Sequence, residues 1–404
     1  MANLIPVSYK LLRGMNESLI LNIIRKKGPI SRADIAKSTN LTPPTVTNIV
    51  NKLIENGMVV EYKLGESSGG RPPVLVKINP EFMNVLVIHI RTRSLEAYAL
   101  DAEYSKKASR KYPIEGLGER EVLEILESVI GELTGELDSS VSGIGIVVRG
   151  PVKTREGISV FAPNIGWRNV PLKKIVEEKF GIPTYIMNDV RAMAWGEFHM
   201  NEIKGAENMI FLKVGYGIGS AIVIGGKLYT GVLDSAGEIG HTTIDISGPG
   251  CSCGKSGCFE ALASEKALVN LAVEALKRGE DSVLRRMAEG VPEKVTPEMI
   301  YEAAKMDDEL AKRALETVGR YLGIGIANII NIFNPRLILL GGGIVKGRKF
   351  FEEAMRRTAR EMALEDSYAS CSIAFSELGD EATLIGAATM VMDNLFGWRE
   401  GFVD

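Results

Sequence analysis

One histidine and three cysteines crowd into an eighteen-residue stretch, within Gly240-His241-Thr242 and Cys251-Ser252-Cys253-Gly254-Lys255-Ser256-Gly257-Cys258. Three thiolates and one imidazole complete the tetrahedral shell that Zn2+ takes, and a fully filled shell marks a structural rather than a catalytic site. Soft sulfur donors also disfavour the hard cations. The glycines and Pro249 let so short a loop wrap an ion. The bland reading, four polarizable residues sharing a loop by accident, has the tight spacing against it. We therefore expect structural Zn2+ on His241, Cys251, Cys253 and Cys258. The fourth cysteine, Cys371, heads a strand-like run alone and reads as core packing.

The elements that must hold this loop follow from apolar run lengths. Residues 84–90, 141–148, 184–187, 209–214, 221–224 and 337–340 read as strands, and 119–133, 172–180, 190–202, 297–304 and 310–333 read as helices. Their alternation predicts α/β lobes with layered sheets. No low-complexity segment and no short-period repeat is visible.

The N-terminal end reads differently. Ser31 is a good N-cap for a helix starting at Arg32, with Asp34 at the capping-box position. After a short turn at Asn40-Leu41, Thr42 caps a second helix with Pro43 at its first position, where a missing N–H costs nothing. That helix runs to Asn56 and stops at Gly57. Val46, Ile49, Val50, Leu53 and Ile54 form its buried stripe. Thr45, Thr47, Asn48 and Asn51 face the other way. Residues 58–63 and 74–78 then pair as strands around a Gly/Ser-rich tip ending in Arg71-Pro72-Pro73. This is a winged helix-turn-helix, with Thr42, Thr45, Thr47, Asn48, Asn51 and Arg71 as the expected DNA contacts.

Charge agrees with that division. The chain of 404 residues carries a net charge of −3, yet residues 1–80 hold eleven Lys/Arg against five Asp/Glu. The head is thus basic and the remainder acidic, which points to a nucleic-acid partner for the head alone. Composition is ordinary for a globular protein, at 45% hydrophobic and 25% charged residues. No signal-peptide pattern and no membrane-length apolar run occurs, and three of the four cysteines are clustered rather than spread as disulfides would be. A cytoplasmic protein is expected. We divide it into a DNA-binding domain over residues 1–80 and a larger domain over 81–404, with the zinc loop at 241–258.

Two motifs carry a family resemblance: Ala236-Gly237-Glu238-Ile239-Gly240-His241 and Cys251-Ser252-Cys253-Gly254-Lys255-Ser256-Gly257-Cys258-Phe259-Glu260. Over residues 80–395 the chain resembles the ROK proteins (repressors, open reading frames and sugar kinases). The preceding winged helix resembles the repressor branch, with its xylose, glucose and N-acetylglucosamine regulators. The resemblance implies an actin/hexokinase-like (ribonuclease H-like) fold of two α/β lobes around a sugar cleft. It also implies sugar contacts at Gly150, Asn164, Asn188, Asp189, Glu238, His241 and Glu260; carboxylates, amides and an imidazole suit a polyol because each of its hydroxyls both donates and accepts. His241 would serve zinc with one ring nitrogen and sugar with the other. In ROK kinases Asp189 would be the general base toward the sugar hydroxyl. Read alone, Asn188-Asp189 is a simple helix cap.

The nucleotide motifs depart from the kinase pattern. Where ROK kinases carry Asp-x-Gly-Gly-Thr, this chain has His89-Ile90-Arg91-Thr92-Arg93, without the carboxylate or the glycines that cradle phosphate. A second phosphate loop survives in part as Gly215-Tyr216-Gly217-Ile218-Gly219-Ser220-Ala221. Leu340-Gly341-Gly342-Gly343-Ile344 resembles the adenosine-side motif, and its bland reading is a strand-to-helix turn. ATP and Mg2+ are therefore not expected cofactors. The expected function is a sugar-responsive transcriptional regulator, a repressor, that binds operator DNA as a homodimer or homotetramer. The alternative is an ATP-dependent sugar kinase with a fused DNA-binding head, in which Asp189 would be catalytic.

Overall fold

The computed structural model describes residues 14–64, 72–137, 139–162, 165–200, 207–396 and 402–403. Arg71 and Asn164, named above as DNA and sugar contacts, lie outside the described residues. Two compact units divide the chain: residues 1–201 with 380–402, and residues 202–379 with 403–404.

The first unit opens with the helix-turn-helix. Helix α1 (Met15–Lys27) precedes a two-residue strand β1 (Ile30–Ser31), α2 (Arg32–Thr39), α3 (Pro43–Glu55), β2 (Val59–Leu64) and β3 (Val74–Ile78). The caps are those the residue types dictate. Ser31 Oγ accepts from Asp34 N–H (3.1 Å), and Thr42 Oγ1 accepts from Thr45 N–H (3.4 Å). Asn40 turns the chain in the left-handed region (φ 57°), and Gly57 does so after α3 (φ 70°). Val46, Val50 and Leu53 of α3 are buried with Ile20, Leu21 and Ile24 of α1, while Ile49 and Ile54 are half-buried. The small sheet has order β1-β3-β2, all antiparallel.

The chain then enters a mixed sheet through β4 (Asn84–Ile90), β5 (Ser94–Leu100) and β6 (Lys106–Pro113). Helix α4 (Glu119–Glu136) leads to β7 (Val141–Val148). A small antiparallel meander follows, of β8 (Val152–Lys153), β9 (Ile158–Ala162) and β10 (Trp167–Val170). Helix α5 (Leu172–Phe180), β11 (Thr184–Asn188) and α6 (Asp189–Met200) close this stretch. The order is β11-β7-β4-β5-β6, with β4, β5 and β6 antiparallel and β4, β7 and β11 parallel. Strand β7 reads Gly143-Ile144-Gly145-Ile146, and period-two alternation sends the isoleucines to the α4–α5 face. The glycines leave the other face flat.

The second unit repeats the plan with β12 (Met209–Val214), β13 (Ile218–Ile224) and β14 (Lys227–Tyr229), then α7 (Phe259–Ala263), α8 (Glu265–Lys277), α9 (Val283–Met287), α10 (Pro297–Lys305) and α11 (Glu309–Phe333). Strand β15 (Leu337–Gly341), α12 (Arg348–Met362), α13 (Glu365–Ser370) and β16 (Ser372–Phe375) follow. The strands run β16-β15-β12-β13-β14, again three antiparallel and then parallel additions. Strand β13 begins at Ile218 rather than 221: Gly219 and Ser220 weaken the local strand signal, and pairing with Lys213 and Leu212 overrides it. Only Gly215–Gly217 of the second glycine motif is therefore a turn. Cys371 is half-buried against this unit's core.

Finally α14 (Glu381–Leu395) returns the chain to the first unit and lies on the flat face of β7. A Cβ on Gly143 would come 2.5 Å from Val391, and one on Gly145 would come 3.1 Å from the Ala387 carbonyl oxygen. The repeated strand order is that of the actin/hexokinase-like fold. Among the described residues, no helix is long and apolar enough to cross a membrane.

Candidate functional site

The His/Cys loop is built on β13. Gly237 (φ 96°) and Gly240 press against that strand: a Cβ would fall 2.6 Å from the Ser220 carbonyl oxygen and 2.2 Å from that of Ile218. Ser220 Oγ donates to the Gly237 carbonyl (2.6 Å). A single 3-10 turn, Ile239–His241, then presents the imidazole. The cysteine loop folds back through Phe259 N–H to the Thr242 carbonyl (2.8 Å) and Cys251 N–H to the Lys255 carbonyl (2.7 Å). Gly257 (φ 67°) has its Cβ position only 1.5 Å from the Asp245 carbonyl oxygen, so no side chain fits there.

One donor atom from each of His241, Cys251, Cys253 and Cys258 lies within 4.8 Å of the other three. Cys251 Sγ is 3.7 Å from His241 Nδ1, and Cys253 Sγ is 3.7 Å from Cys258 Sγ, with no disulfide among them. Burial, followed by the adjacent thiols of Cys253 and Cys251, pushes the Cys258 thiol up to about 12. Cys258 thus resists ionisation until a cation joins the cluster, whereas a backbone hydrogen bond from Lys255 pulls the Cys253 thiol down. The cluster can hold a metal ion.

Glu260, the first-turn acid of α7, ties this loop to the Gly215–Gly217 turn. Its Oε2 accepts from Ile218 N–H (2.9 Å), and its Oε1 accepts from Ser252 Oγ (3.1 Å). A Cβ on Gly217 would sit 2.5 Å from that carboxylate. Glu238 immediately precedes the 3-10 turn, and its carbonyl accepts from His241 N–H (3.1 Å). The second unit thus brings together Glu238, His241 and Glu260.

In the first unit Gly150, Asn188 and Asp189 meet at the β11–α6 junction. Asn188 Nδ2 donates to the Gly150 carbonyl (3.0 Å) and to Asp189 Oδ1 (3.1 Å). Asn188 Oδ1 accepts from Val190 N–H (2.9 Å) and Arg191 N–H (3.2 Å), so the helix-cap reading of Asn188 is correct as far as it goes. Gly150 (φ 93°) has its Cβ position 2.3 Å from the Phe161 carbonyl oxygen. Asp189 is buried at the first position of α6.

The segment Arg91-Thr92-Arg93 forms the β4–β5 hairpin turn, closed by Arg91 N–H to the Ser94 carbonyl (2.8 Å). Its arginines are already committed to carboxylates: Arg91 to Glu96 (3.3 Å) and Asp380 (3.0 Å), and Arg93 to Glu115 (3.1 Å).

On the helix-turn-helix, Thr42, Asn48 and Asn51 are exposed, and Thr45 and Thr47 are half-buried. Thr47 Oγ1 donates to the Pro43 carbonyl (2.9 Å), and Thr45 Oγ1 pairs with Thr42 Oγ1 (2.8 Å), so both hydroxyls have partners within α3 and its cap. Asn51 Oδ1 accepts from Arg32 (3.3 Å), which also bonds Glu61 on β2 (3.0 Å). Arg32 was missed as a surface residue of this face. The only sequence signal was a basic residue directly after the N-cap of α2.

The profile described as "ROK family" matches residues 87–394, most of the chain. The chain belongs to the ROK family. Residues 16–60 match a profile described as winged helix-turn-helix DNA-binding. This ROK-family chain is 33% identical over 403 residues to the xylose repressor of Caldicellulosiruptor bescii, covering 97% of this chain and 99% of that protein. It is 29% identical to the DNA-binding transcriptional dual regulator NagC of Escherichia coli, covering 94% and 93%. A crystal structure of a ROK-family transcriptional regulator, a homolog of E. coli MLC protein, superposes with a TM-score of 0.82 at 30% identity, over 95% of this chain and 96% of that one. A ROK-family glucokinase from Streptomyces griseus, solved with glucose and AMPPNP, reaches 0.65 at 29% identity, over 76% and 98%.

Proposed function

We propose that this protein is a sugar-responsive transcriptional repressor that binds operator DNA as a dimer or tetramer. The observation that carries this reading is the combination of a winged helix-turn-helix with a ROK region that has, in place of the first phosphate loop, a plain hairpin with ion-paired arginines. The proposed sugar contacts are Gly150, Asn164, Asn188, Asp189, Glu238, His241 and Glu260. Asp189 acts there as a hydroxyl acceptor. Thr42, Thr45, Thr47, Asn48, Asn51 and Arg71 are the proposed DNA contacts, with residues 1–80 as the reading head and 81–404 as the sensor. The names of two relatives, a xylose repressor and an N-acetylglucosamine repressor, put those two sugars first among effectors to test.

We assign Zn2+ to His241, Cys251, Cys253 and Cys258. Tetrahedral Zn–S and Zn–N bonds of about 2.3 and 2.0 Å imply donor–donor edges of about 3.5–3.8 Å, which the two 3.7 Å separations support. When bound, the ion supplies rigidity to the loop that carries His241 and abuts Glu260.

The test is fluorescence anisotropy of the protein on fragments of its own upstream DNA, titrated with a sugar panel. One sugar is expected to release the DNA, and Glu238→Ala is expected to lose that response while binding DNA normally. Sugar-dependent ADP formation abolished by Asp189→Asn would instead establish the kinase.

A further inference from the structure

One buried polar cluster has no part in the binding residues described so far. Arg25, one turn beyond Leu21 on α1, has a side chain only 2% exposed, and it forms an ion pair with Asp393 of α14, itself 5% exposed. The guanidinium also bonds Asn22 Oδ1 (3.2 Å) and Tyr104 OH (3.4 Å), and Tyr104 OH pairs with Thr389 Oγ1 of α14 (3.0 Å). The second oxygen of Asp393 accepts from Trp195 Nε1 of α6 (3.1 Å). One carboxylate therefore holds three elements together: α1 of the DNA head, α14 and α6.

Helix α6 begins at Asp189, and Trp195 stands six residues further on, about 9 Å along the axis at 1.5 Å per residue. Helices α6 and α14 meet backbone to backbone through small residues. A Cβ on Gly196 would fall 2.0 Å from the Ala382 carbonyl oxygen, and one on Gly386 would fall 1.8 Å from that of Ala192. No side-chain layer lies at that crossing to absorb a shift by changing rotamer, so the pair moves as one body. On the other side of the cluster, α1 packs against α3, and Lys52 of α3 bonds Glu17 of α1 (2.6 Å). Apolar packing alone would hold α1 in place equally well. A paired buried charge adds a fixed register, because sliding α1 would strand Arg25 or Asp393 without its partner.

We propose that Asp393, bridging Trp195 and Arg25, is the positioning residue that couples the Asp189 end of α6 to the DNA-reading head. This rests on the repressor reading above. A sugar that shifts α6 at Asp189 moves Trp195 and Asp393 with it, and Arg25 carries the displacement to α1 and hence to α3.

The experiment uses the full chain with its metal and measures operator Kd by anisotropy with and without the responsive sugar, and sugar Kd by calorimetry. The variants are Trp195→Phe, which keeps an aromatic ring and removes the indole with its Nε1–H donor, and Tyr104→Phe, which removes the hydroxyl joining Arg25 to Thr389. In the wild type, sugar is expected to change operator Kd on the order of tenfold or more, and in both variants by less than about threefold. Sugar Kd and sugar-free operator Kd should stay near wild-type values even where Tm falls, which a purely structural role would not allow alongside a lost response. An undiminished response in folded variants overturns the coupling role and leaves the repressor reading standing. Absence of any sugar response in the wild type overturns both. Should Trp195→Phe fail to fold, Arg25→Lys, which keeps a cation beside Asp393 and changes the geometry of the bridge, replaces it under the same criteria.

Discussion

Gly386→Ala sets helix propensity against packing, and the structure decides the sign. Gly386 lies inside α14, where replacing glycine by alanine gains about 1 kcal/mol from the unfolded chain's lost freedom. Its Cβ, however, would stand 1.8 Å from the Ala192 carbonyl oxygen and 2.8 Å from the Gly196 nitrogen. Ordinary carbon contacts need about 3.5 Å, so α6 and α14 must part by about 1.7 Å. Overpacking of this kind costs about 1–3 kcal/mol, and backbone on backbone belongs at the upper end. The net effect is a loss of about 2 kcal/mol, or about 4–8 °C in Tm for a unit of this size. Gly131 is the control: it sits in α4 with nothing within 4 Å of its Cβ position, and Gly131→Ala should gain about 0.5–1 kcal/mol. Scanning calorimetry on the two variants reads both signs. A Gly386→Ala protein as stable as the wild type would show that the close crossing is not what holds these helices.

Three further outcomes are expected. Cys253→Ser should reduce zinc from one ion per chain to none by elemental analysis and lower Tm, and chelation should do the same to the wild type; retained stoichiometry would remove Cys253 from the ligand set. His199 is half-buried beside Trp195 with its Nε2 shielded from solvent, its Nδ1 within 2.9 Å of the Trp195 carbonyl and its ring edge-on to the indole at 4.3 Å. Burial pulls its pKa down to about 4, below the unfolded value of 6.5. The unfolded state then binds the extra proton between those values. Relative to His199→Gln, the wild type should keep its full stability above about pH 6.5 and lose about 1.4 kcal/mol per pH unit on descending to about pH 4; parallel stability–pH curves for the two proteins would refute the neutral buried imidazole. Asn48→Ala should weaken operator binding by about 1–3 kcal/mol if Asn48 reads a base edge; unchanged affinity, together with unchanged sequence preference, would take it off the reading face.

Much of the head and the metal loop was legible because the determinants are close neighbours in the chain. Ser31 with Asp34, Thr42 with Pro43, and four soft ligands inside one loop act over distances shorter than a helix or a hairpin. Strands β4, β7 and β12 announced themselves as apolar runs. Strand β6 did not: Lys106–Pro113 is charged and alternately exposed, and pairing with β5 makes it a strand. Helix α14 lacked an amphipathic signal because residues 382–393 are buried all round, between a sheet and another helix. The duplicated strand order left no trace as a sequence repeat, since the two units share hydrogen-bonding geometry and not side chains.

The sequence by itself determined the chemistry on offer: a basic reading head, a four-donor metal loop, polyol-matching side chains, and a missing phosphate loop. Residue type and short spacing are enough for those. Only the tertiary structure decided what each group is spent on. It paired Arg91 and Arg93 with carboxylates, set Glu260 to bracing a turn, and joined Arg25 to Asp393 across 368 residues. Burying a charge is tolerable only beside its partner, and which partner arrives is a property of the packed chain rather than of any local segment.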